Sequence, residues 1–179
     1  IGGNNPIAIQ SMTKTVTSDV AATLKQIKQL KSAGCDIVRM AVNDIKSAQA
    51  IRRIKKEAAL PLVADIHFDW RLACLSIENG IDKIRLNPGN INKIDGLKAV
   101  VREAKDARIP MRIGVNSGSV KINKRKSMAD NMVNSALGYI KIIEKLGFGN
   151  LVISLKAADI MDTVEAYRKI SGLCDYPLH

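Results

Sequence analysis

The punctuation between short apolar runs constrains this chain most. Six runs, IAIQSM, IVRMAV, PLVADIH, KIRLNP, MRIGVN and LVISLK, alternate with longer stretches of helical periodicity, and a seventh, PLH, begins where the sequence stops. That alternation marks successive βαβ units and a parallel sheet. Pro6, Pro61, Pro110 and Pro177 precede the first, third, fifth and seventh runs, whereas Gly34, Gly80 and Gly147 precede the second, fourth and sixth. Proline is tolerated where a strand begins, and glycine supplies the left-handed residue that ends a helix. Such a two-strand period predicts a (β/α)8 TIM-type barrel, whose alternate strands occupy equivalent layers, with an open doubly wound sheet as the alternative.

Cap residues place the helices between these runs. Ser18 or Asp19 opens the first and Gly34 closes it, while Ser47 opens the second, which runs through Lys56. Later helices are expected over 70–79, 93–107, 127–146 and 159–172. Phe68 and Trp70 are assigned to the core or a helix interface. A chain of 179 residues, 46% of them hydrophobic, buries one sizeable core but not two complete domains. Six strands and the start of a seventh do not close an eight-stranded barrel. Residues 1–179 are therefore expected to form one incomplete barrel domain, truncated after about six β/α units.

The net charge of +11 calls for an anionic partner: nucleic acid, a membrane surface or a phosphorylated metabolite. Aromatic residues make up only 3%, too few to stack unpaired bases, and no nucleic-acid-binding motif is present. No apolar run is long enough to span a bilayer, and the first residues lack the pattern of a signal peptide, which predicts a cytoplasmic protein with no membrane or nucleic-acid partner. Cys35, Cys74 and Cys174 are widely spaced and form no CxxC pair, so no metal site is expected and each is assigned as a small core or surface residue.

Side chains alternate across a strand, which divides each run into two faces. One face is apolar throughout: Val38, Met40, Val42, then Leu62, Ala64, Ile66, and so on to Leu151, Ile153, Leu155. The other carries Gln10, Arg39, Asp65, His67, Arg85, Asn87, Arg112, Gly114, Asn116, Ser154 and Lys156. In a barrel that face is the interior, and active sites form at its C-terminal end. Four cations there, Arg39, Arg85, Arg112 and Lys156, stand against one carboxylate, Asp65. Buried charge in surplus is costly unless compensated, and a polyanion with two phosphate groups supplies the compensation. Arginine suits forked bonding to phosphate oxygens, and Lys156 acts as a point charge.

Individual residues allow two readings at this stage. Asp65 either takes part in chemistry or simply balances Arg39 or Arg85. His67, at a strand tip, is either a proton donor or phosphate ligand, or a hydrogen-bonded structural histidine. The turns NPGN and NSGS are either plain turns or anion cradles in which Gly89 and Gly118 aim N–H groups at the ligand.

The ordered segments PIAIQSM, DIVRMAV, PLVADIHF, RLNPGN, RIGVNSGS and SLKAAD resemble the 4-hydroxy-3-methylbut-2-enyl diphosphate synthase family across almost the whole chain. The resemblance implies an oxidoreductase of the non-mevalonate isoprenoid pathway. Its reaction is the reductive ring opening of 2-C-methyl-D-erythritol 2,4-cyclodiphosphate, with flavodoxin or ferredoxin as electron donor. It further implies that Arg39, Arg85, Arg112 and Lys156 form a diphosphate clamp, with Asn87, Asn116 and Ser154 as further substrate contacts and Asp65 and His67 as catalytic residues near the substrate. Full-length relatives carry a C-terminal domain with a 4Fe-4S cluster held by three cysteines and a glutamate, and act as homodimers. The segments that follow the barrel strands in the family are missing after His179, and the stretch Val120 to Lys126 is shorter than the family's usual loop. Cys35, Cys74 and Cys174 fall outside the family's ligand segments, so this chain alone is expected to bind no cluster and to lack turnover. The alternatives are another phosphate- or pterin-ligand barrel, either a dihydropteroate synthase-like enzyme or an aldolase with Lys156 as Schiff-base nucleophile, and a non-catalytic basic nucleic-acid-binding module.

Overall fold

A computed structural model describes residue 2, residues 5–87 and residues 94–179. Six strands, β1 (Gln10–Met12), β2 (Ile37–Val42), β3 (Leu62–Ile66), β4 (Lys83–Leu86), β5 (Met111–Asn116) and β6 (Leu151–Lys156), form one parallel sheet in chain order. Helices α1 (Val20–Ser32), α2 (Ile45–Glu57), α3 (Trp70–Glu78), α4 (Ile94–Asp106), α5 (Met128–Lys145) and α6 (Ile160–Ser171) alternate with them. A doubly wound sheet reverses its strand order at a switch point. This sheet does not, so the open doubly wound alternative is excluded. Right-handed crossovers between sequential neighbours place every helix on one side, and the sheet curls into part of a barrel. Leu178 pairs in parallel with Ile153, which starts a seventh strand beyond β6.

Helices α1, α2, α3, α5 and α6 each begin on a short polar side chain. Asp19 accepts from Ala22 N–H at 3.0 Å, Asp69 from Arg71 N–H at 3.0 Å and Asp159 from Met161 N–H at 2.6 Å. The second helix starts on Asp44, not on Ser47. Asp44 accepts from the Ser47 N–H at 2.7 Å, and that bond holds the Asp44 carboxyl below its ordinary pKa. Ser47 is the capped residue instead of the cap. At the other ends, Gly34, Gly80 and Gly147 adopt positive φ of 87°, 86° and 74°. Arg108 does the same after α4 at φ 56°, a conformation the side chain disfavours and whose position no glycine signalled.

The apolar sheet face and the helices make one core. Val38, Met40, Leu62, Ile66, Ile84 and Ile113 are fully buried against residues such as Ile51, Ile54, Val100 and Ile143 of the helix layer. Two expectations need correction. The first strand is only three residues long, and Ile7 and Ile9 before it are 95% and 60% exposed. Phe68 does not enter the core: it is 74% exposed at the end of β3, because Asp69 caps α3 immediately after it and turns the chain outward. Trp70 does pack against the core, on the first turn of α4. No helix among the described residues is long and apolar enough to cross a membrane.

That tryptophan gives a test of the helix layer. A Cβ at Gly96 would lie 2.4 Å from Trp70 Cδ1. Glycine to alanine inside a helix normally stabilises by about 1 kcal/mol; here overpacking is expected to reverse the sign, and Gly96→Ala destabilises by about 1–3 kcal/mol. Urea unfolding followed by Trp70 fluorescence measures it, and a stabilised variant would refute the packing described.

Candidate functional site

Strand register assembles the interior face in layers. Asp65 is level with Arg85 and Arg85 with Arg112, so these three side chains rise from β3, β4 and β5 at one height. Gly114 is level with Ser154 and Asn116 with Lys156 in the layers above. Arg39 is level with Val63, one layer below Asp65, and reaches up to it. Met12, Arg39, Asp65, His67, Arg85, Arg112, Asn116, Ser154 and Lys156 then share one cavity of about 250 Å³. Asn87 stands at the tip of β4 beside it, 5% exposed, where its amide contacts Ser119 Oγ at 3.2 Å.

Asp65 resolves to both of its electrostatic pairings. It is 2% exposed, with Oδ1 3.0 Å from Arg85 Nη1 and Oδ2 3.5 Å from Arg39 Nε. Its Oδ2 also lies 3.3 Å from His67 Nε2. Facing a carboxylate, that ring nitrogen is favourable only when it carries the proton, so its N–H is directed at Asp65 and the pairing fixes the His67 ring at the cavity rim. The His67 side chain remains 40% exposed, within reach of a ligand.

Arg112 is the unbalanced charge. It is 1% exposed and makes no ion pair with a carboxylate among the described residues, and its Nε has no hydrogen-bond partner there. Burial first, then the charges of Arg39 and Arg85, push its pKa down to about 10, still protonated at neutral pH. A native interior rarely leaves such a donor orphaned unless a ligand or water completes it. Arg39 spends its fork differently, donating from Nε and Nη2 to the Met12 sulfur at 3.1 and 3.0 Å.

Three features escaped the sequence reading. Lys83, two residues before Arg85 on the same face, is buried, and burial followed by Arg112 lowers its pKa. The strand parity that selected Arg85 also points to it. His179 places Nε2 3.0 Å from Arg112 Nη1, a contact between residues 67 positions apart that no local pattern signals. Gly114 leaves room for a neighbour: a Cβ there would come 2.4 Å from Arg85 Nε, and Arg85 Nη2 donates to Gly114 O at 3.3 Å.

Of the two readings of NSGS, the structure shows the plain turn. Gly118 lies in a 3-10 turn over Ser117–Ser119 and keeps out of the left-handed region; the turn is tied back by Ser119 Oγ donating to Asn116 O at 3.0 Å. Residues 88–90 of NPGN, Gly89 included, lie outside the described residues. Lys156 is exposed at the rim and so lacks the burial that frees a Schiff-base amine.

Size alone would point elsewhere, since a groove of about 790 Å³ runs along the outside of α1 and α2. Its lining of Lys25, Lys28, Arg53 and Glu57 is an ordinary solvated helix surface, whereas the smaller barrel cavity holds the desolvated charges.

Comparison with known proteins agrees with this geometry. The sequence pattern described as the GcpE TIM-barrel domain matches residues 1–179. The chain belongs to the GcpE TIM-barrel family. It is 56% identical over 183 residues to the 4-hydroxy-3-methylbut-2-en-1-yl diphosphate synthase (flavodoxin) of Fusobacterium nucleatum subsp. nucleatum, with all of this chain and 52% of that protein covered. The synthase of the same name from Caldanaerobacter subterraneus subsp. tengcongensis is 55% identical, with the same shares covered. The chain thus spans about half the length of the curated relatives it matches. Among solved structures, the dihydropteroate synthase of Yersinia pestis superposes with a TM-score of 0.68 at 12% identity over 96% of this chain and 68% of that one. That of Xanthomonas albilineans gives 0.65 at 15%, over 96% and 68%. These likenesses establish the barrel fold alone.

The described cysteines are not arranged as ligands of an iron-sulfur cluster. The Cys35 thiol donates to Ile37 O at 3.0 Å, and burial pushes the Cys74 thiol up to about 11. Among the described residues, no three His, Cys, Asp or Glu side chains are grouped to hold a metal ion.

The balance of charge around Asp65 makes a second test. Asp65→Asn leaves Arg39, Arg85 and Arg112 uncompensated, and the expected loss of stability is about 3 kcal/mol. Added pyrophosphate should restore more melting temperature to the variant than to the wild type. Equal responses would mean the three arginines do not share an anion site.

Proposed function

We propose that this chain is the substrate-binding barrel of a 4-hydroxy-3-methylbut-2-enyl diphosphate synthase, holding 2-C-methyl-D-erythritol 2,4-cyclodiphosphate for reductive ring opening to the linear diphosphate. The observation that carries the reading is Arg112: fully buried, flanked by Arg39 and Arg85, with an orphaned Nε, on a side chain that lines the cavity. Eight charged or polar side chains among its lining suit a densely charged molecule. Sequence identity above one half to synthases of that name supports the choice of ligand.

In this reading the residues divide the work. Arg39, Arg85 and Arg112 hold phosphate oxygens inside the barrel, and exposed Lys156 attracts the second phosphate at the rim. Asn87, Asn116 and Ser154 add neutral hydrogen bonds, and Asp65 fixes the directions of Arg39, Arg85 and His67. Held by Asp65, the His67 ring stands at the rim within reach of the ligand's oxygens. The 4Fe-4S cluster, electrons from flavodoxin or ferredoxin, and a homodimer that covers the barrel belong to the remaining half of such an enzyme. Residues 1–179 then form its incomplete TIM-barrel domain, acting in the cytoplasm.

A dihydropteroate synthase-like ligand is disfavoured because the cavity offers cations where a flat pterin needs apolar walls. The nucleic-acid reading fails on access, since duplex cannot reach side chains inside a barrel. Calorimetric titration of the chain with the cyclodiphosphate, and with a pterin for comparison, decides among them. Saturable binding of the cyclodiphosphate alone is expected. A hydrogen bond to a charged group contributes about 1.5–3 kcal/mol, so Arg112→Ala should weaken binding by about 10- to 100-fold. Gly114→Ala, which displaces Arg85, should weaken it comparably. Preference for the pterin, or unaltered binding by both variants, would overturn the assignment.

A further inference from the structure

Among the described residues, His179 is the neutral side chain that engages Arg112, the least compensated charge of the site. Leu178 pairs with Ile153, with His179 N–H donating to Ile153 O at 2.9 Å and Ile153 N–H to Pro177 O at 2.9 Å. Leu178 packs toward the helix layer, so the alternation of an extended chain turns His179 inward. The Tyr167 hydroxyl of α6 donates to the His179 carbonyl and accepts from Leu155 N–H at 3.2 Å, which ties this residue to β6 and α6 together. On this anchored backbone the imidazole reaches Arg112, with Nε2 3.0 Å from Nη1.

A guanidinium only donates, so Nε2 must present its lone pair and Nδ1 must carry the ring proton. We propose that His179 is a positioning residue of the anion clamp: as a neutral acceptor it fixes the Arg112 guanidinium without neutralising it, leaving its charge for a phosphate group. The inference rests on the diphosphate reading above. Its logic is one of choice among acceptors. A carboxylate at this position would hold Arg112 equally well but would cancel the charge that attracts the ligand. An apolar side chain would leave a buried N–H unmade and the fork free to turn.

The surroundings keep the ring in that state. Arg112 of β5, Arg39 of β2 and both Lys83 and Arg85 of β4 face it, and the nearest carboxylate of the cluster, Asp65 of β3, is engaged with Arg39, Arg85 and His67. Burial first, then those four cations, hold the imidazole down at about 4, so it remains unprotonated throughout the neutral range.

The test compares two variants of the whole chain, with the cyclodiphosphate as probe at pH 7. His179→Gln keeps a neutral acceptor and should bind within about threefold of wild type, whereas His179→Leu should bind about tenfold more weakly, the worth of one hydrogen bond to a charged group. Thermal melts identify any variant that fails to fold. Independently of the variants, ¹⁵N NMR of wild-type His179 should show an unprotonated Nε2 and protonated Nδ1. Full affinity in His179→Leu, equal losses in both variants, or a protonated Nε2 would each overturn the role. No binding by the wild type would instead sink the diphosphate reading, and with it the clamp, while NMR would still decide the pairing itself.

Discussion

Around the carboxylate of Asp65, Arg85 approaches to 3.0 Å, Arg39 to 3.5 Å and His67 to 3.3 Å, and the organisation of the barrel interior depends on this one anion. Without it, three guanidiniums would share a desolvated space with no internal counter-charge. With it, two of them are held in fixed directions and the third, Arg112, remains in surplus. One carboxylate is enough to let the interior fold and too little to neutralise it. On that imbalance rests the proposal that the interior binds an anion instead of serving as a structural salt-bridge network.

The sheet makes this arrangement possible through register. Because Asp65, Arg85 and Arg112 are level on consecutive strands, their side chains converge without any loop having to place them. The same pleat sends Ala64, Ile84, Met111 and Ile113 into the helix layer, so one alternation builds the core and the site at once. Gly114 serves the same geometry by omission. Any side chain there would occupy the space of the Arg85 guanidinium, which instead lies over the strand and donates to its backbone.

What was legible in the sequence was whatever depended on neighbours within a few residues. Strands β2, β5 and β6 match the apolar runs residue for residue, and the polar parity of Arg39, Asp65, Arg85 and Arg112 holds across the sheet. Caps were legible in kind but ambiguous in position: Asp44 and Ser47 both suit a helix start, and only backbone geometry makes one the acceptor and the other its donor. Phe68 looked like core because aromatic residues usually are, yet the cap at Asp69 commits the chain to leave the barrel. The ring contact of His179 with Arg112 and the steric need at Gly114 join distant segments, and no spacing rule encodes either.

The likeness to dihydropteroate synthases shows how little the barrel itself says about chemistry. A TM-score of 0.68 at 12% identity means the same sheet and helices are reachable with almost entirely different side chains. What fold comparison leaves open, the interior face narrows. A neutral ligand would leave the charge of Arg112 uncompensated, and a single phosphate would answer Arg112 while leaving exposed Lys156 at the rim unused. A compact molecule with two anionic groups, one deep and one at the mouth, meets both. Lys83, one layer below Arg112, adds a further buried cation to that surplus, its pKa lowered first by burial and then by the Arg112 guanidinium.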